Sequence, residues 1–97
     1  MYLGSYRFDG DPDQLLERYD TMLSQFPAEA ILFHTCVRTD GGITIFDACP
    51  DLAEFRTFAS SAEFRGALEA VGLPQPTVTE IGAVHAARAR SELVTVS

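Results

Sequence analysis

The chain has 97 residues and a formal charge of −7, its cations being arginine alone. That length suits one domain with its own core and excludes a multidomain enzyme, while the charge repels the phosphate backbone on which nucleic-acid binding depends. Without Lys there is neither lysine Schiff-base chemistry nor a P-loop, and no Gly-x-Gly-x-x-Gly run precedes a helix, so pyridoxal and nucleotide enzymes drop out.

The opening MYLGSYRFDGD carries no basic stretch followed by an apolar run, so the chain reads as soluble and cytoplasmic, with no membrane partner. Tyr2 to Phe8 alternates in the period of a half-buried strand. Asp11-Pro12-Asp13-Gln14 then offers an N-cap carboxylate, a proline at the first helical position and a Gln three residues past the cap. Leu15, Leu16, Tyr19, Met22, Leu23 and Phe26 follow at helical spacing, and the helix ends before Pro27.

From Ala30 to Val37 the run AILFHTCV is apolar and β-branched, Asp40-Gly41-Gly42 signals a hairpin turn, and Ile43 to Ala48 resumes the strand pattern. Asp51 and Glu54 start a second helix that buries Phe55, Phe58 and Ala59. Ser60 with Glu63 resembles a second capping box, so a break is expected near Ser60 and Ser61. The second half carries Phe64, Ala67, Leu68 and Val71, and Gly72 suits a left-handed C-cap before Pro74 and Pro76. Thr77 to Ala86 is a last strand, and the tail beyond holds one more β-prone run, Leu93 to Val96. The domain is drawn at residues 1–90 with a tail at 91–97.

The order β-α-β-β-α-β, with right-handed crossovers, gives an α+β ferredoxin-like sandwich: one antiparallel four-stranded sheet with its helices on one face. In the central hairpin Ile31, Phe33, Thr35, Val37 and Phe46 project one way, and Leu32, Cys36, Ile43, Ile45 and Cys49 the other, together with His34, Arg38 and Asp47. Both faces look apolar where two helices can cover one, so a partner is expected on the other, most simply a second copy.

The stretch FHTCVRTDGGITIFDACPDLAEFRTFASSAEFRGALEAVGLPQPTV, followed by AVHAA, resembles the dimeric α/β-barrel superfamily, and within it the small actinobacterial proteins grouped with antibiotic-biosynthesis monooxygenases. The resemblance implies a homodimer whose sheets face each other as a barrel, with a small-molecule cavity in each protomer between sheet and helices. Trp and Asn belong to the site in monooxygenase and haem-degrading members, and this chain has neither residue.

Among candidate site residues His34 is the most informative. With Asp40-Gly41 as the turn, or Thr39 to Gly42 as a loop, it stands opposite Asp47 on the same face; a register shifted by two sets it against Cys49 instead. A carboxylate beside an imidazole fixes which ring nitrogen holds the proton, as general-base chemistry requires, and equally lets two buried polar groups satisfy each other. Arg38 shares that face and can bind an anion or pair with a carboxylate; His85 falls on the last strand, at the far edge of the sheet. Tyr2, Tyr6 and Tyr19 can donate to a phenolic or quinone-like ligand, with Tyr6 taken as the ligand contact beside Arg38 and His85. Cys36 and Cys49 lack Cys-x-x-Cys spacing and the two histidines are unclustered, so no metal or other cofactor is expected. Two readings result. One is a small cofactor-free enzyme, monooxygenase-like or cyclase-like, acting on an aromatic or polyketide-like molecule with His34 as base and Asp47 orienting it. The other is a non-catalytic dimeric small-molecule-binding protein.

Overall fold

The computed structural model describes residues 1–25 and 32–88. Their elements run β1 (Tyr2–Asp9), α1 (Pro12–Gln25), β2 (Phe33–Thr39), β3 (Gly42–Cys49), α2 (Leu52–Ala59), α3 (Ala62–Val71) and β4 (Thr77–Ala83). The strands form one antiparallel sheet in the order β2-β3-β1-β4, the ferredoxin-like arrangement expected from the sequence. The helix end before Pro27, the strand start at Ala30, and the run Leu93 to Val96 lie outside the described residues. No helix among the described residues is long and apolar enough to cross a membrane.

Helix α1 begins at Pro12, whose missing N–H costs nothing at the first helical position, and buries Leu15, Tyr19 and Met22 along one stripe. The break between α2 and α3 falls where expected, but its capping differs. Ser61, not Ser60, is the N-cap of α3, its hydroxyl accepting from the Phe64 N–H, whereas Ser60 ends α2 and donates its hydroxyl to the Arg56 carbonyl. A serine pair leaves the N-cap ambiguous by one residue, and the residue with extended backbone takes the role. Gly72 closes α3 at φ 78°, the left-handed conformation that favours glycine.

Helices cover one face of the sheet. Tyr6 and Phe8 of β1 and Ile43, Ile45 and Cys49 of β3 join Leu15, Tyr19, Met22, Phe55, Phe64 and Leu68 in the core. Gly4 is required there: a Cβ on it would lie 2.0 to 2.7 Å from three ring atoms of Phe55. The opposite face is only partly covered within the protomer, where Phe33 and Val37 keep 38% and 39% of their surface exposed.

The hairpin register decides what shares the helix face. Thr39 pairs with Gly42 across Asp40-Gly41, with Gly41 at φ 73°, so His34 lies opposite Asp47 and Cys36 opposite Ile45. Gly4 and Glu80 continue the His34–Asp47 row across β1 and β4, and Tyr6 and Val78 continue the next.

Candidate functional site

The row at His34 and Asp47 carries the most concentrated chemistry of the described residues. His34 Nδ1 and Asp47 Oδ1 are 2.5 Å apart, and the other ring nitrogen, Nε2, lies 2.5 Å from the Tyr19 hydroxyl. Asp47 is almost fully enclosed, at 4% side-chain exposure, while the His34 ring retains 22%. An ionised carboxylate only accepts, so Nδ1–H donates to Asp47 and a neutral imidazole is left to accept the Tyr19 O–H at Nε2. The Tyr19 and His34 rings lie nearly parallel, 6° between planes and 5.8 Å between centroids. The result is a continuous hydrogen-bonded chain, Tyr19 to His34 to Asp47.

Burial, followed by Cys36, Asp47 and Asp20, holds the Tyr19 hydroxyl far above the ordinary phenol range, so Tyr19 stays protonated and donating. Cys36, next on the same face of β2, has its thiol pushed up to about 11, chiefly by burial and then by Asp20. That places it among unreactive thiols rather than nucleophiles.

The other sequence-derived candidates are dispersed. Arg38 reaches across to α1, its Nη1 donating to Asp13 Oδ1 at 2.5 Å in an exposed ion pair, so of its two expected roles it takes the carboxylate partner. His85, expected on the last strand, lies beyond it and is exposed. β4 pairs antiparallel with β1 as far as Ala83, which stands opposite Tyr2, and the Val84 N–H takes the Met1 carbonyl at 2.8 Å, so His85 falls past the last paired residues. No group of three or more His, Cys, Asp or Glu is placed to hold a metal ion among the described residues. Tyr6 is buried in the core, its hydroxyl without a hydrogen-bond partner among the described residues.

The tyrosine that completes the chain is therefore Tyr19. A phenol in the apolar stripe of α1 needs a partner for its hydroxyl, and a right-handed crossover lays α1 over the β3–β2 side of the sheet, where His34 and Asp47 are the polar groups. A groove of about 360 Å³ opens elsewhere, between α2 and β4, lined by Phe55, Arg56, Ala59, Ser60, Val78 and Glu80 and not by the His34 row.

No family's sequence pattern matches this chain, and no curated protein matches it in sequence. Solved structures that share its fold include the following two. One is a protein of Deinococcus radiodurans assigned as an antibiotic biosynthesis monooxygenase; its TM-score is 0.62 at 11% identity over 94% of this chain and 100% of that one. The other is SnoaB, a cofactor-independent oxygenase of Streptomyces nogalater; its TM-score is 0.54 at 16% identity over 94% and 95% of the two chains. The chain thus shares a ferredoxin-like fold with these two proteins.

Proposed function

We propose that the protein is a cofactor-free enzyme that removes a proton from an acidic O–H or C–H of an aromatic, polyketide-like small molecule. The observation that carries this reading is the Tyr19–His34–Asp47 chain, with 2.5 Å at each link. The substrate proton passes to the Tyr19 oxygen as Tyr19 gives its own to His34 Nε2, and Asp47 holds the imidazolium formed. The substrate anion then carries the later chemistry, by attack on dioxygen in an oxygenase or within its own skeleton in a cyclase, and the proton returns on release. The fold shared with a cofactor-independent oxygenase supports that economy of parts as an analogy.

The test is turnover on a panel of hydroxynaphthalenes and hydroxyanthracenones, followed by oxygen uptake and product mass. His34→Ala should lower the rate by about 10²- to 10⁴-fold, the usual contribution of a positioned base. Wild-type rates in that variant, or no turnover across the panel, would overturn the reading.

One observation favours a second reading, a non-catalytic binding protein. Both ring nitrogens of His34 are already engaged, so the network is complete without a ligand. In that case Tyr19→Phe and His34→Ala lower the melting temperature and leave ligand binding unaltered.

A further inference from the structure

Two Asp-Gly pairs occur in the chain, Asp9-Gly10 and Asp40-Gly41, and the fold brings them to the same end of the sheet, where the Gly10 N–H donates to the Gly41 carbonyl at 2.9 Å. Asp-Gly invites attack by the backbone on its own side chain, because glycine leaves its nitrogen unshielded by a Cβ. Both aspartates are exposed, so exposure does not separate them. Their surroundings do.

At the first pair both reacting groups are engaged. The Gly10 nitrogen, the attacking atom, has its N–H in the bond to Gly41, and Asp9 Oδ1 is held by Arg7 Nε at 3.1 Å. At the second pair neither is engaged. The hairpin closes between Thr39 and Gly42, and neither the Gly41 N–H nor the Asp40 carboxylate has a hydrogen-bond or ion-pair partner among the described residues. Gly41 sits at φ 73° with nothing beyond its chain neighbours within 4 Å of the place a Cβ would take, so the space beside it is open. The peptide between the two residues is also polarised. Arg7 Nη2 donates to the Asp40 carbonyl at 3.1 Å, and Arg7 Nη1 donates to the Thr39 and Thr44 hydroxyls, which fixes the guanidinium there. When an amide loses its proton the charge moves onto the carbonyl oxygen, so a cation at that oxygen makes the Gly41 nitrogen a better nucleophile.

We propose that the fold selects Asp40 over Asp9 as a site of spontaneous backbone isomerisation to isoaspartate. The Gly41 nitrogen gives up its proton and bonds to Asp40 Cγ, a Cγ–O bond breaks, and that oxygen leaves as water, closing a five-membered succinimide. Water then opens the ring at either carbonyl: attack at Cγ restores aspartate, and attack at the backbone carbonyl leaves the main chain running through Cβ. Water is the only co-reactant, and nothing is oxidised or reduced. The isoaspartyl product adds a methylene to the main chain inside the two-residue turn that sets His34 opposite Asp47, so the change falls where the hairpin register is decided.

Asp9→Asn and Asp40→Asn test the inference, because they place the same neutral amide at two exposed positions; the identical attack then expels ammonia and is followed by peptide mass. Held folded at neutral pH, Asp40→Asn should deamidate about tenfold faster than Asp9→Asn, since Gly10 must first give up one neutral hydrogen bond. In urea the two rates should converge. Peptide mapping of folded wild type after prolonged incubation should find isoaspartate at residue 40 ahead of residue 9. Equal rates for the two folded variants, a gap that persists in urea, or wild type with no more isoaspartate at residue 40 than at residue 9 would overturn the inference.

Discussion

A histidine with both nitrogens engaged ties the fate of its neighbours together. Asp47→Ala strips the acceptor from His34 Nδ1–H in a nearly closed site and should cost about 1 to 3 kcal/mol of stability. Combined with Tyr19→Phe it should depart from additivity by at least about 0.5 kcal/mol, because the two residues share one imidazole; strictly additive denaturation midpoints would refute a connected chain. The buried acids predict a response to alkali. Tyr6, Tyr19, Cys36 and Cys49 all hold their protons more tightly folded than unfolded, so the native state binds more protons there than the unfolded chain does. Stability from these groups is complete below the ordinary thiol value and falls as pH rises, the Cys36 share being lost between 9.0 and about 11. Melting temperatures should drop steadily across that window. Carboxymethylation of Cys36 at pH 8 should run roughly 100-fold slower than that of an ordinary thiol, in keeping with its smaller thiolate fraction. A flat melting profile to pH 11 would contradict the burial of these groups.

At the scale of elements, the serine pair between the helices gives a sharp comparison. Ser61→Ala removes the N-cap of α3 and should cost about 1 kcal/mol, whereas Ser60→Ala removes only a hydroxyl bonded back to the Arg56 carbonyl and should be close to neutral. Equal losses in chemical denaturation would mean that the cap is misassigned. The same pair shows where local sequence stops deciding: both serines fit a capping pattern, and the backbone entering α3 chooses between them. The hairpin is the opposite case. With a two-residue turn at Asp40-Gly41 the pairing sets His34 opposite Asp47, so the juxtaposition is legible once the turn is placed there, and the structure takes that register rather than the one shifted by two toward Cys49. The end of β4 is not legible in that way. Its β-prone residues continue to Ala86, but a strand needs a neighbour, and the pairing with β1 ends at Ala83 and Val84, with His85 outside the sheet. Tyr19 fits the apolar period of α1 like any core residue, and only packing against the sheet shows that its hydroxyl, rather than that of Tyr6, meets the imidazole.

At the scale of the whole molecule, the sheet face away from the helices is the surface on which a second copy is expected to pack. It presents Phe33 and Val37 at 38% and 39% exposure, and Leu3, Thr35, Thr44 and Phe46 project to the same side. Its charged members, Arg7 and Asp9, face each other at 3.1 Å, so the face carries no net repulsion of its own against a copy of itself. A stable dimer through it would bury roughly 2,000 Å² in total, about a sixth of each protomer's 6417 Å². The two copies nevertheless bring −7 each, and that repulsion acts over the whole surface rather than at the contact. Screening weakens the repulsion and spares apolar burial, so the dimer should tighten as salt rises, the reverse of an interface held by ion pairs. Sedimentation equilibrium at micromolar concentration should show a dimer whose dissociation constant falls between about 0.02 and 0.5 M sodium chloride, over which the Debye length shortens several-fold. Val37→Glu places a like charge in each half of the face at a position exposed in the single protomer, and should give a folded monomer. A folded wild-type monomer across that salt range would remove the second copy as the partner of this face.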